Sequence, residues 1–198
     1  MHSTLLCAPV PSLCKTILLE NTAAASSTAT GSPFTSRFVA VVLQYCTKLD
    51  LPRLSKQLKG AADMAAAGSK APAALAIPGA IKQAVKPHAL PPGAHVTAKE
   101  VSAAKFNFAV AQPADSDRLS GYKHNAVTPF GMTSPVPVLI TRQVAELPKV
   151  QPAAPYVWLG GGEVNLKLRL PVVQLAAALA ATEVHAAVAR GSEEEEEE

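Results

Sequence analysis

The sequence predicts an α+β domain with a mixed sheet, on three observations. Short apolar or alternating runs of strand character recur between Lys15 and Leu170. They fall in neighbouring pairs with helical patterns between the pairs, an order that favours α+β over a doubly wound parallel sheet. A length of 198 residues, 48% of them apolar, suffices for one domain of ordinary size and not for two. The expected organisation is a single domain over 1–190, a low-complexity insertion at 60–95 within it, and an acidic tail at 191–198.

Lys15–Glu20 reads as a short buried strand, and Asn21–Ser36, rich in Ser, Thr, Ala and Gly, as a loop. The β-branched run Arg37–Gln44 reads as a central strand, paired with the first as a long hairpin. Asp50 stands where a helix N-cap belongs, ahead of a helix over Leu51–Lys59, and Pro52 falls in its first turn. The Ala/Pro/Gly-rich insertion follows, with a short helix expected at Thr97–Ala104. Phe106–Val110 alternates as a strand does, and Pro113–Ser120 reads as a helix stopped by Gly121.

Beyond Gly121 the pattern predicts a strand at Val136–Thr141, a short helix at Arg142–Leu147 and a loop at Lys149–Pro155. A strand at Tyr156–Leu159 leads into Gly160-Gly161-Gly162. Val164, Leu166, Leu168 and Leu170 alternate with Asn165, Lys167 and Arg169, which predicts a half-buried strand with two basic side chains on its outer face. Pro171 opens a final helix with Val172, Leu175 and Leu179 on one stripe, expected to run or resume to about Arg190.

The net charge of +3 understates the body of the protein, because Glu193–Glu198 supply six of the fifteen acidic residues. Without that tail, 18 basic residues face 9 acidic ones, a balance suited to a polyanionic partner such as RNA. Lys48, Arg53, Lys56 and Lys59 cluster near one helix, and Lys82, Lys86, Lys99 and Lys105 add charge in and after the insertion. Each is also what an ordinary solvated face would carry. No aromatic stacking platform is evident. Cys7, Cys14 and Cys46 lack CxxC spacing and a His cluster, which argues against a metal site or a disulfide scaffold and for a reducing, cytoplasmic compartment. The start lacks the pattern of a signal peptide, and no apolar stretch is long enough to span a bilayer. Nothing in the sequence asks for a cofactor.

The stretch Gly121-Tyr-Lys-His-Asn-Ala-Val-Thr-Pro-Phe-Gly-Met132 is the least explicable by packing, since its polar groups follow no amphipathic pattern. Four pieces in order resemble the YbaK/prolyl-tRNA synthetase-associated editing domain: Lys15-Thr16 in a first strand, Leu49-Asp50-Leu51 before a helix, the GYxxxxVTPFG segment, and three glycines before an alternating strand and a terminal helix. The resemblance covers most of Lys15–Arg190 apart from the insertion. It implies a curled mixed sheet packed by helices, and hydrolysis of mischarged aminoacyl-tRNA, most often Cys- or Ala-tRNA for proline, by a free-standing domain. It also implies tRNA as partner, with an aminoacyl-tRNA synthetase as a further one.

Carried over by position, Lys15 matches the family's essential lysine. Gly121 and Asn125, Ala126, Val127, Thr128, Pro129, Phe130 and Gly131 match its substrate-binding loop, and Gly161 and Gly162 its second glycine turn. Asn125-Ala126 stands where the family has two small residues, often glycines, and Gly160 where it has a serine. Fourteen residues precede Lys15 where the family has a helix and a strand, so the expectation is a version of the fold shortened at its N-terminus.

Hydrolysis of an aminoacyl ester needs placed water and donors for the developing oxyanion rather than a protein nucleophile. Glycine turns expose N–H groups for that purpose, and a lysine can hold the terminal phosphate or the ester region. His124 could act as a base or hold ribose, or simply flank the loop; Thr128 could bond the substrate amine or carbonyl, or cap the Pro129 turn. Cys14, Cys46 and Ser120 lack the partners of nucleophiles. The competing reading is a non-catalytic tRNA- or synthetase-binding module that keeps the fold. Hydrolysis of another small acyl ester or amide is the weakest.

Overall fold

The computed structural model describes residues 12–24, 33–34, 36–66, 105–153 and 155–190. Strand β1 (Cys14–Asn21) pairs antiparallel with β2 (Phe38–Gln44), with Lys15 opposite Leu43 and Glu20 opposite Phe38. This is the expected hairpin; residues 25–32 and 35 of its connection lie outside the described residues. β4 (Phe108–Val110) adds antiparallel to the far end of β1, while β5 (Val138–Thr141) and β8 (Thr182–Val184) extend the sheet parallel to β2. The sheet order is therefore β4-β1-β2-β5-β8, a mixed sheet. Two small two-stranded sheets accompany it: β3 (Thr47–Leu49) with β9 (Ala187–Ala189), and β6 (Tyr156–Gly160) with β7 (Lys167–Pro171).

The pleat of β2 divides the core in two. Val39 and Val41 face helix α1 (Leu51–Ala66), where Leu54 and Leu58 pack with Leu19, Leu139 and Val184. Ala40 and Val42 face the other way, joining Val138, Ile140, Val157, Leu159, Val172 and Leu175. Leu54, Leu58, Val157 and Leu159 are fully buried, each worth roughly 1.5–3 kcal/mol of transfer free energy. On β1, Leu19 and Ile17 point to the α1 side, while Cys14 and Leu18 point to the opposite side. Alternation gives Lys15 the face of Ile17 and gives Thr16 the face of Cys14.

α1 begins where expected. The Arg53 N–H donates to Asp50 Oδ1 at 3.0 Å and the Leu54 N–H to the Asp50 carbonyl at 3.0 Å, so Asp50 is a true N-cap. The helix runs past Lys59 to Ala66, because Gly60 lies on an open face while Ala61 and Ala62 are buried. The first residues of the supposed insertion are thus helical; the rest of it, with the helix expected at Thr97–Ala104, lies outside the described residues.

Helix α2 (Pro113–Ser120) stops at Gly121, whose φ of 76° is the left-handed C-cap expected of glycine. The helix expected at Arg142–Leu147 is two short turns, α3 (Arg142–Ala145) and α4 (Leu147–Val150), because Pro148 starts the second and removes a donor from the first. The loop expected from Lys149 therefore begins later.

Two strand–helix expectations are corrected. The terminal helix α5 (Val172–Ala178) ends at Leu179, Ala180 takes φ 46°, and the chain continues as β8 and β9 instead of reaching Arg190 as helix. Pairing with β5 and β3 overrides the helical preference of alanine there. The strand expected over Val164–Leu170 starts only at Lys167. The Leu166 N–H bonds back to the Glu163 carbonyl in a turn, which leaves Val164 and Leu166 about half exposed.

Candidate functional site

Gly121–Thr133 forms a closed loop pinned at both ends. The Thr133 hydroxyl lies 2.8 Å from both the Arg118 and Leu119 carbonyls, and the Ser134 N–H donates to the Leu119 carbonyl at 3.0 Å. A Cβ at Gly121 would lie 2.7 Å from Thr133 Cγ2, so the two ends of the loop touch at that glycine. Inside, Ala126, Thr128 and Pro129 are buried, and Phe130 packs against the core that holds Val157 and Leu159. Lys123, His124 and Asn125 form the exposed tip. Asn125 has φ 65°, a left-handed conformation that asparagine tolerates better than other residues with a side chain.

Tyr122 organises this loop, the wall of the candidate site. Its hydroxyl donates to the Phe130 carbonyl at 2.8 Å. A Cβ at Gly131 would stand 2.9 Å from that hydroxyl oxygen, and one at Gly162 3.0 Å from Cε1 of the ring. Both glycines have positive φ, 63° and 94°, so each is needed for its backbone as well as for the space it leaves. The ring is thus clamped between the loop and the second glycine turn. Gly160 adds a second contact between these segments: its Cα faces the Val127 carbonyl so closely that a Cβ would sit 2.8 Å from the oxygen. Gly161 is held within its own turn, where its N–H donates to the Leu166 carbonyl at 2.9 Å and a Cβ would strike Leu166 Cγ. Tyr122 and Gly160 were missed among the site residues by sequence reasoning. The signal for Tyr122 was present, an aromatic residue in a loop of small ones.

Thr128 and Thr16 share an unusual property. Each hydroxyl is buried without a hydrogen-bond partner among the described residues, a condition that normally costs about 1–3 kcal/mol. Thr128 lies in the segment whose Val127 packs against the cluster of Leu18, Ala111 and Leu119 and whose Phe130 packs against the cluster that holds Cys14 and Leu159. Thr16 lies between Cys14 and Leu18 on the same face of β1.

Lys15 occupies the other face of β1, with Nζ 5.4 Å from the centroid of the Tyr45 ring. The strand β6 links this side to the wall. Leu13 forms a parallel bridge with Trp158, which gives Trp158 the face of Leu13 and Lys15; two residues later on the same face, Gly160 lies under the Val127 carbonyl. The structure thus joins Gly121, Gly131 and Gly162 through Tyr122 and Thr133. Lys15 stands two residues along β1 from the Leu13–Trp158 bridge to β6. His124 stands at the exposed tip.

The β6–β7 ribbon brings two aromatic rings and a guanidinium together on one face. Val157 and Leu159 are buried, so Tyr156 and Trp158 share the opposite face with their cross-strand partners. There Arg169 lies 4.3 Å over the Tyr156 ring and 6.0 Å from that of Trp158. Of the basic residues near α1, Lys59 pairs with Asp63, while Lys48, Arg53 and Lys56 are exposed. Lys82, Lys86 and Lys99 lie outside the described residues, and Lys105 is exposed.

Cys14 is buried and its thiol pKa is pushed well above the ordinary value, first by desolvation and then by the nearby Cys46. That environment suits a structural thiol rather than a nucleophile. Among the described residues, no group of His, Cys, Asp and Glu is placed to hold a metal ion, and no helix is long and apolar enough to cross a membrane.

No family model matches the chain, and no curated protein matches its sequence. Solved structures do match its fold. One is a protein proposed as a trans-editing enzyme for prolyl tRNA synthetase, with TM-score 0.55 and 14% identity over 96% of this chain and 78% of that one. A second is the hypothetical protein APE2540, with TM-score 0.55 and 14% identity over 94% and 81%. A third comes from work on epitope backbone grafting by computational design, with TM-score 0.54 and 13% identity over 96% and 78%. At this identity the likeness is one of fold: the chain shares the α+β architecture of a protein proposed to edit in trans for prolyl tRNA synthetase.

Proposed function

We propose that the protein hydrolyses the ester of mischarged aminoacyl-tRNA as a free-standing proofreading enzyme of translation, with Cys- or Ala-tRNA for proline as the first substrates to test. The observation that carries the reading is the Tyr122 clamp. It holds two glycine turns against each other and braces a loop that follows no packing pattern, in a fold shared with a proposed trans-editing enzyme.

In this reading, water attacks the ester carbonyl, the tetrahedral oxyanion collapses, and the ribose oxygen leaves with a proton to give free amino acid and tRNA. Backbone N–H groups at Gly131 and Gly162 supply donors for the oxyanion, while Gly161, whose N–H is held by the Leu166 carbonyl, shapes the turn. Lys15 holds the terminal phosphate or the ester region through its positive charge. Gly121, Ala126, Val127 and Pro129 shape the wall. Thr128, whose hydroxyl lacks a partner among the described residues, bonds the substrate amine or carbonyl, and the exposed His124 and Asn125 flank the ribose.

Deacylation of Ala-, Cys- and Ser-charged tRNA tests the reading. Hydrolysis above the spontaneous rate, lost in Lys15→Ala, supports it. Binding of tRNA or a synthetase without turnover would instead favour the adaptor reading.

A further inference from the structure

The outer face of the β6–β7 ribbon has a composition that its fold does not explain. The opposite face supplies the buried Val157 and Leu159, whereas Tyr156 and Trp158 on the outer face are half-buried. The outer face carries Tyr156, Trp158, Lys167 and Arg169, with Trp158 opposite Arg169 and Lys167 opposite Gly160. Arg169 is exposed, and its guanidinium lies over Tyr156 at 4.3 Å. A planar guanidinium stacked on a ring offers a second flat, cationic face outward. Lys15 extends the surface: it lies two residues, about 7 Å, along β1 from the Leu13–Trp158 bridge.

We propose that this ribbon face is a stacking platform for single-stranded RNA, which lays the unpaired 3′ end of a tRNA across Arg169 and Trp158 towards the wall at Gly160 and Val127. The assignment rests on the editing reading for its direction but not for its chemistry. Aromatic rings with interleaved cations are what unpaired bases and their phosphates require, and stacking tolerates any base. A body with 18 basic residues against 9 acidic ones outside the terminal glutamates complements that ligand. The order along the ribbon supplies the polarity. Tyr156 stands at the far end, Trp158 and Arg169 in the middle, and Lys167 beside Gly160, where the Val127 carbonyl closes over the strand. The terminal nucleotide enters the wall while the nucleotides before it lie on the rings.

Trp158 is the one tryptophan in the chain, so its emission reports on this face alone. The experiment titrates the full chain with an unpaired oligoribonucleotide ending in CCA, and with a blunt RNA duplex as control, at low and high salt. Expected are quenching and a blue or red shift with the single strand, little with the duplex, and weakening as salt rises. Arg169→Ala and Tyr156→Ala should each weaken binding by about tenfold in anisotropy, the loss typical of one stacked base. Arg169→Lys, which keeps the charge but not the plane, should fall nearly as far as Arg169→Ala. Single-strand binding that leaves Trp158 emission unchanged and survives all three variants overturns the platform. So does emission that changes with protein concentration alone, which would assign the face to self-association. The same variants in the deacylation assay separate the two ideas. Ribbon-dependent binding by a protein that hydrolyses nothing sinks the editing reading and leaves the platform standing. Hydrolysis unaffected by the ribbon variants does the reverse.

Discussion

Tyr122 donates its hydroxyl hydrogen to the Phe130 carbonyl at 2.8 Å, and the ring so fixed lies against Gly162 of the other glycine turn. One side chain therefore holds two segments forty residues apart in the chain at a defined separation. Tyr122→Phe removes the bond but keeps the ring, and should cost about 1 kcal/mol in urea unfolding. Gly162→Ala adds a Cβ at 3.0 Å from the ring and a side chain at φ 94°, so it should cost more, about 2 kcal/mol. The order of the two midpoints checks the clamp; equal midpoints would show that the ring moves aside freely.

Thr128 separates stability from function. Its hydroxyl is buried and lacks a partner among the described residues, so the fold bears its desolvation without return. Thr128→Val should raise stability by about 1 kcal/mol. If the hydroxyl serves the substrate, the same change lowers the deacylation rate. A variant both less stable and fully active would remove Thr128 from the site.

Burial raises the Cys14 pKa, and the sign of its pH effect follows. The folded state favours the neutral thiol, so this contribution to stability is complete below the ordinary thiol value of about 8.5. It declines as pH rises from there towards the higher folded value. Wild type should lose stability at alkaline pH more steeply than Cys14→Ala, as read from denaturant midpoints between neutral and alkaline buffers. Parallel slopes would show that Cys14 does not couple folding to pH.

Much of the fold could be read in the sequence because its strongest signals are local. Asp50 before Leu51 and Gly121 after Ser120 mark helix ends through backbone chemistry, and both stand where the pattern put them. The β-branched run Phe38–Gln44 is central because its side chains are buried on both faces of the sheet. Thr182–Ala189 could not be read, since Ala-rich sequence suits helix or strand and only pairing with Leu139–Thr141 and Thr47–Leu49 decides. The same holds for the Tyr156–Arg169 contact: residues thirteen positions apart meet only after strand register is set. The wall lay open in the Gly121–Gly131 motif, but its fastening did not. The contact of Tyr122 with Gly162, like that of Gly160 with Val127, crosses between segments that no periodicity connects.

Removal of amino acids from mischarged tRNA, the activity proposed for this chain, is tested by the initial rate of deacylation of Ala- or Cys-charged tRNA for proline by wild type and Lys15→Ala. Expected are a wild-type rate well above spontaneous hydrolysis and a loss of roughly 10²-fold or more in the variant, the scale of removing one electrostatic contact to a developing charge. A wild-type rate equal to spontaneous hydrolysis, or a Lys15→Ala rate equal to wild type, would contradict the proposal.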